Sequence, residues 1–259
     1  MTSFRRPEGL IRIGHRGAGA LEPENTLRSF RRAIELGVDF VEFDVLDLAD
    51  GTLVVAHSDD LAEVTHGAVS GRVRGRNLRE LREVAPELPT FDEALEFFHA
   101  EHVGLHVDIK CRRRGADVAR AIGRHDLTRR AVTSSFWPRT LTDVRGADRE
   151  LQVAITYPKD PHGIATRRIL KPFIAPSILL LGRLLPRRLP RWLAAAKVPV
   201  AMLHYAVVSP AAVARCHDAG VAAWAWTVNS QAVLAQVEQA GVDGVVTDDP
   251  RIFGATLPA

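Results

Sequence analysis

The sequence predicts a single α/β domain of the (β/α)8 TIM-barrel class, on three observations. Strand-like apolar runs alternate with helix-like segments almost to the end of the 259 residues. Eight of those runs are of the βα type, which suits a closed barrel better than an open doubly wound sheet. No G-x-G-x-x-G or G-x-x-x-x-G-K-[ST] follows any of them, which weakens the nucleotide-binding alternative. The expected domain covers residues 9–255, with a small hairpin after the second strand. A basic, apolar insertion at 157–199 follows the fifth.

Each element has a local reason. Leu10–Ile13 is a short apolar strand that breaks into Gly14-His15-Arg16-Gly17. The helix Thr26–Leu36 ends at Gly37, and the second strand is Asp39–Val45. Asp50-Gly51 is a hairpin signal that pairs Leu53–Ala56 with that strand. Thr90 caps the helix Thr90–His99 ahead of Asp92 and Glu93. Strands Val103–Ile109, Ala131–Ser134 and Leu151–Thr156 then alternate with helices Ala116–His125 and Pro138–Ala147. Beyond the insertion come strand Val200–His204, the Ser209-capped helix Pro210–Ala219 and strand Ala222–Thr227. Helix Ser230–Ala240 and strand Gly244–Thr247 close the chain, with Gly220 and Gly241 as helix stops.

Composition is that of an ordinary globular protein, with 46% hydrophobic and 25% charged residues. The net charge of +3 is unevenly spread, since residues 161–200 carry eight Lys or Arg and no Asp or Glu. Cys111 and Cys216 lack metal-type spacing and read as reduced thiols of a cytoplasmic protein. The N-terminus has no apolar signal region, and the longest apolar patch, Ile174–Leu181, is too short to span a bilayer.

In a barrel, reactive groups gather at the C-terminal ends of strands. Glu42 and Asp44 are two apart on one strand and so point to the same side, as do Asp108 and Lys110 on another. The carboxylates of Glu42, Asp44 and Asp108 can seat one divalent cation, Ca²⁺ or Mg²⁺, which would draw charge from a phosphate oxygen. His15 and His57, each just past a strand, suit general acid and base work near neutral pH. Arg16 and Lys110 can pair phosphate oxygens, and Trp226 offers a flat wall for the rest of a substrate. Glu24 and Asn25 stand in the turn after the first strand as supporting groups.

The order of the motifs adds a resemblance. His15-Arg16-Gly17, Pro23-Glu24-Asn25-Thr26, Glu42-Phe43-Asp44-Val45, Asp50-Gly51 and His57 resemble the opening of the glycerophosphodiester phosphodiesterase family. Trp226-Thr227-Val228-Asn229 and the run from Gly241 to Asp248 resemble its close. The resemblance implies a (β/α)8 barrel, a divalent metal, and hydrolysis of glycerophosphodiesters to sn-glycerol 3-phosphate and an alcohol. In some branches it implies lysophospholipase D activity. By position, His15 and His57 match the family's catalytic pair, and Glu42 and Asp44 its first two metal ligands. The implied chemistry begins with attack of the substrate's own 2-hydroxyl on phosphorus, giving a cyclic phosphate that water opens.

Two departures stand out. The family's usual Glu-x-Lys is Asp108-Ile109-Lys110 here, one methylene shorter, so Asp108 is expected to reach a metal less directly. The Asp that usually follows the second histidine is Ser58, so Asp59 is expected to orient His57 from a shifted position.

The segment RRILKPFIAPSILLLGRLLPRRLPRWLAAAK mixes Leu with Arg, and four prolines are expected to break it into short amphipathic helices. Such helices lie on anionic membranes, so residues 165–195 are a candidate peripheral membrane contact, with lysophospholipids as candidate substrates. A homodimer interface, or a cap packed on the barrel's own core, is the competing expectation. The Leu-rich composition argues against nucleic acid. A catalytically silent phospholipid-binding barrel and a phosphoinositide-type phospholipase C are the alternative functions.

Overall fold

The computed structural model describes residues 4–6, 8–65, 67–158 and 171–256. Eight parallel strands close a barrel: β1 (Ile11–Gly14), β2 (Phe40–Asp47), β4 (Gly104–Ile109), β5 (Ala131–Ser134), β6 (Gln152–Tyr157), β7 (Val200–His204), β8 (Ala222–Trp226) and β9 (Gly244–Thr247). Closure is made by β1, which pairs with β9 on one side and β2 on the other. β3 (Leu53–Val55) is the expected hairpin strand, antiparallel to β2 with Val45 opposite Val55. Gly51 turns that hairpin at a φ of +88°, a conformation open to glycine without a side-chain clash.

Alternation along the strands divides the core in two. Inward-facing Ile11, Ile13, Phe40, Val132, Ala154, Val200, Met202, Trp224 and Val246 fill the barrel interior. Residues between them, such as Val41, Phe43, Leu105, Val107, Ala201 and Ala225, face outward into the helical layer. Phe40 and Trp224 meet edge-to-face with ring centroids 5.1 Å apart, and Phe4 packs on both. Two glycines make room for these rings. A Cβ on Gly104 would lie 2.4 Å from Phe40, and one on Gly244 2.7 Å from Trp224.

Helices α1 (Leu27–Glu35), α4 (Phe91–His99), α5 (Gly115–Arg124), α6 (Pro138–Ala147), α8 (Pro210–Asp218) and α9 (Gln231–Gln239) match the expected ones within two residues. Thr90 and Glu93 form a reciprocal capping box, and Ser209 accepts from the Ala212 amide. Residues 57–89 hold structure that the sequence reading left blank: α2 (Leu61–Val64), a 3₁₀ turn (Val73–Gly75) and α3 (Leu78–Val84). They enclose a satellite core of Leu46, Leu48, Val54, Leu61, Val73 and Leu81, capping the hairpin end of β2.

The insertion differs from expectation. In place of short helices, α7 runs unbroken from Lys171 to Ala196 with Pro176, Pro186 and Pro190 inside it. Pro176 and Pro190 are exposed and Pro186 is half-buried, so carbonyls that lose their donors can turn to water. The opposite face buries Leu185, Leu189 and Leu193 in the outer core, with Ile178, Leu181 and Trp192 against it. That face is the expected cap on the barrel's own core. The part of the insertion at 159–170 lies outside the described residues. Cys111 and Cys216 are free and buried, and no helix among the described residues is long and apolar enough to cross a membrane.

Truncating the interior plug should be costly. Phe40→Ala is expected to lower stability by about 3–5 kcal/mol, read as a lower urea midpoint at unchanged m-value. A loss below about 1 kcal/mol would mean that the interior repacks around the gap.

Candidate active site at the barrel mouth

The same alternation that fills the interior places the polar residues. On β2, Phe40 is at the interior floor, and Glu42 and Asp44 follow it on the same side toward the C-terminal end. On β4, His106 and Asp108 take the inward positions, with Asp44 opposite Asp108 in register. Glu42 and Asp44 are buried, and one carboxylate oxygen from each of Glu42, Asp44 and Asp108 falls in a cluster within 4.8 Å. The shorter Asp108 side chain therefore does reach the other two.

The cluster's electrostatics suit a cation. Burial, and then the neighbouring Asp44 charge, push the Glu42 carboxyl up to about 7. Burial acts on Asp44 in the same direction, but Lys110 and Arg16 outweigh it and hold the Asp44 carboxyl well below the usual range. Lys110 Nζ lies 3.0 Å from Asp44 Oδ1 and also contacts Asp108 Oδ2. Asp44 Oδ1 is buried and accepts no hydrogen bond among the described residues. An oxygen-only set of three carboxylates, one of them with a raised carboxyl pKa, fits a hard divalent ion.

Asp108 is braced from behind. Its Oδ1 accepts from Ser134 Oγ at 2.7 Å, and Ser134 Oγ lies 2.9 Å from His106 Nε2. An ionised carboxylate can only accept, so the hydroxyl proton goes to Asp108 and His106 Nε2 is the donor to Ser134. Burial holds His106 neutral, with its pKa down at about 4.

The turn after β1 is tightly specified. Arg16 has a φ of +51°, uncommon for a residue with a Cβ. Three contacts fix it: the Arg16 amide donates to Glu42 Oε2 at 2.9 Å, Ser29 Oγ donates to the Arg16 carbonyl at 2.7 Å, and the Gly17 amide donates to the Glu42 carbonyl at 3.2 Å. The Arg16 guanidinium reaches Asp44 Oδ2 at 3.1 Å and Glu24 Oε1 at 2.7 Å. Asn25 holds Asp44 by both groups, its Nδ2 donating to Oδ2 at 3.0 Å and its Oδ1 accepting the Asp44 amide at 3.2 Å. Glu24 and Asn25, read from the sequence as supporting groups, contact Arg16 and Asp44 respectively. Arg16 and Lys110, read as phosphate ligands, are both engaged by the carboxylates.

Both histidines are held by a carboxylate through Nδ1. For His15 it is Asp248, just past β9, at 2.5 Å, and for His57 it is Glu63 on α2, at 2.6 Å. Each acid accepts the Nδ1 proton, which leaves Nε2 as the unprotonated nitrogen of the neutral ring. His15 Nε2 lies 3.8 Å from Glu42 Oε2. Burial opposes charge on His15, but Glu42 and the bond to Asp248 prevail and raise its pKa above the ordinary value. The hydrogen bond to His57 pulls the Glu63 carboxyl down to about 2, against its partial burial. Ser58 Oγ also donates to Glu63, at 2.5 Å. Asp59, expected to orient His57, instead receives Arg72 and the Arg74 amide, and Glu63 takes that role.

Trp226 closes the far wall at the end of β8, edge-on to His204 of β7 with centroids 5.2 Å apart. His204 was missed, although it lies two residues past inward-facing Met202. Asp248 was legible in the same way, two residues past inward-facing Val246. Glu63 carried no such signal, because it comes from a helix outside the strand pattern.

A model of the glycerophosphoryl diester phosphodiesterase family matches residues 15–252. The chain belongs to that family. It is 28% identical over 257 residues to the glycerophosphodiester phosphodiesterase of Caldanaerobacter subterraneus subsp. tengcongensis, covering 92% of this chain and 94% of that protein. A Silicibacter pomeroyi crystal structure with the same family designation superposes with a TM-score of 0.77 at 25% identity, covering 98% of this chain and 95% of that one. An Oleispira antarctica phosphodiesterase, solved with its product sn-glycerol 3-phosphate, shares the fold with a TM-score of 0.72 at 23% identity over 93% of each chain.

For a member of this family, the two acids beside His57 make separable predictions. Glu63→Ala should reduce kcat/KM on glycerophosphocholine by about 10- to 100-fold, while Asp59→Ala leaves it within about twofold. The reverse ranking, in folded variants with matched thermal midpoints, would return the orienting role to Asp59.

Proposed function

We propose that the protein hydrolyses glycerophosphodiesters to sn-glycerol 3-phosphate and an alcohol. We extend the reading to lysophospholipids, cleaved to lysophosphatidic acid and the head-group alcohol. The observation that carries it is the pairing of two carboxylate-held histidines with a buried three-carboxylate cluster at one barrel mouth. Family membership sets the reaction class, phosphoric diester hydrolysis.

A divalent ion held by Glu42, Asp44 and Asp108 would withdraw charge from a non-bridging phosphate oxygen and favour attack at phosphorus. Ca²⁺ and Mg²⁺ both suit the oxygen donors. Arg16 and Lys110 stand beside that cluster, placed to pair the remaining phosphate oxygens. One histidine takes the proton of the attacking 2-hydroxyl on its Nε2 as the new P–O bond forms. The other gives a proton to the departing alkoxide as the old P–O bond breaks. Their roles then reverse as water opens the cyclic phosphate, so each histidine ends as it began. Asp248 and Glu63 keep both rings in the tautomer this exchange requires and stabilise the imidazolium that forms. Trp226 supplies the apolar wall for the part of the substrate that does not react.

The insertion motivates the lipid extension, because it is apolar and basic and leads into a helix on the barrel's flank. We place the enzyme in the cytoplasm, at the inner membrane surface, where free thiols such as Cys111 and Cys216 stay reduced.

The test incubates purified protein with glycerophosphocholine and with lysophosphatidylcholine, each with Ca²⁺, Mg²⁺ or EDTA, and assays choline. Cation-dependent choline release is expected from both, and EDTA should abolish it. His15→Ala and His57→Ala should each lose about 10²- to 10⁴-fold in kcat while still binding the cation by calorimetry. Near-wild-type turnover in either variant would clear that histidine of a chemical role. Release of phosphocholine instead, seen by phosphorus NMR, would mean cleavage on the other side of phosphorus.

A further inference from the structure

The inner face of α7 belongs to the barrel, but its outer face has a separate pattern. Leu179, Arg183, Arg187 and Arg191 recur every fourth residue and so form one ridge along the helix. Leu180 stands beside the first of them, and all five side chains are exposed. Leu179 and Leu180, 64% and 57% exposed, are the only large apolar side chains so open to solvent among the described residues. Adjacent Arg188 is exposed as well.

The charge on this ridge has no acidic partner among the described residues. The helix contains no Asp or Glu, and Arg183, Arg187, Arg188 and Arg191 make no ion pair among the described residues. Exposed arginines elsewhere are commonly paired: Arg32 with Glu35, Arg120 with Asp117, Arg124 with Asp92. A row of exposed cations without an ion pair among the described residues, next to an exposed leucine pair, matches a surface that is anionic outside and apolar beneath.

The ridge is also oriented with respect to the active site. At Gly182 a Cβ would lie 3.5 Å from Val207 Cα, in the 3₁₀ turn (Tyr205–Val207) that follows β7 at the catalytic mouth. The leucine pair, three and two residues before Gly182, therefore sits near the level of the catalytic mouth, and the arginines descend the flank.

We propose that the outer face of α7 docks on an anionic lipid bilayer, with Leu179 and Leu180 in the acyl boundary and Arg183, Arg187 and Arg191 on lipid phosphates. This deepens the lipid-phosphodiester reading, on which it rests, by naming the surface that brings the barrel mouth to the substrate's membrane. A duplex nucleic acid would satisfy the arginines, but it offers nothing to the leucines.

Removing the helix would open the barrel's own core at Leu185, Leu189 and Leu193, so the test uses surface substitutions in the full chain. Sedimentation is measured with vesicles of phosphatidylcholine, with and without phosphatidylglycerol. Binding is expected only to the anionic vesicles. Each arginine near such a surface contributes about fivefold, so Arg183→Gln/Arg187→Gln/Arg191→Gln should weaken binding by about a hundredfold. Leu179→Ser/Leu180→Ser should weaken it about tenfold or more. Both variants should keep the wild-type thermal midpoint and wild-type turnover of water-soluble glycerophosphocholine. Equal binding to neutral vesicles would overturn the proposal. So would binding that the substitutions leave unchanged, or retention on duplex DNA without retention on vesicles. Absent vesicle binding in a protein that still turns over glycerophosphocholine would refute the docking face alone. Vesicle binding without that turnover would support the face and count against the phosphodiesterase reading.

Discussion

Putting Glu42, Asp44 and Asp108 together in a water-poor barrel mouth is the constraint from which the rest of the site follows. Each buried carboxylate is costly, and three together repel. The cost is met by fixed partners: Lys110 against Asp44 and Asp108, Arg16 and Asn25 against Asp44, Ser134 against Asp108, and the Arg16 amide against Glu42. Several of these partners are themselves constrained. Arg16 takes a backbone conformation unfavourable to a residue with a Cβ, and Ser29 on α1 helps to hold it there. The first βα turn, the first helix and the second strand are thus coupled through one carboxylate cluster.

The two histidines show one solution reached from two parts of the fold. His15 and Asp248 are barrel residues, from the ends of neighbouring strands β1 and β9. His57 and Glu63 belong to the capping segment, whose small core of Leu61, Val73 and Leu81 fixes α2 over the hairpin. Arg16 joins the halves, since its guanidinium also comes within 3.5 Å of Glu63 Oε1. A change that loosens the satellite core would therefore act on His57 without touching the barrel interior.

What was legible in the sequence follows from periodicity. A strand with period two declares its inward positions, so Glu42, Asp44, Asp108 and Lys110 could be placed on one side before any fold was known. The caps at Thr90 and Ser209 and the Asp50-Gly51 turn are local chemistry and appear where the residues predict. Glu63 was not legible, because its proximity to His57 depends on how a four-residue helix packs on the hairpin. The continuity of α7 was not legible either. Proline ordinarily interrupts a helix, but here Leu185, Leu189 and Leu193 are buried while Pro176 and Pro190 face water. Tertiary burial decided the outcome over local propensity.

The charges around the centre also indicate how the site can tell its states apart. Three carboxylates face two permanent cations, Arg16 and Lys110, which leaves the inner ring one charge negative when all three are ionised. Burial first, and the neighbouring Asp44 charge second, raise the Glu42 carboxyl toward neutrality in that ring. With a dication bound, the same ring is one charge positive, the complement of a phosphodiester monoanion. On the proposed function, a phosphodiester would meet repulsion before a cation binds and attraction afterwards, so the two binding steps would reinforce each other. The brace from His106 through Ser134 fits this arrangement, because it orients Asp108 through a neutral ring and adds no further charge to the balance.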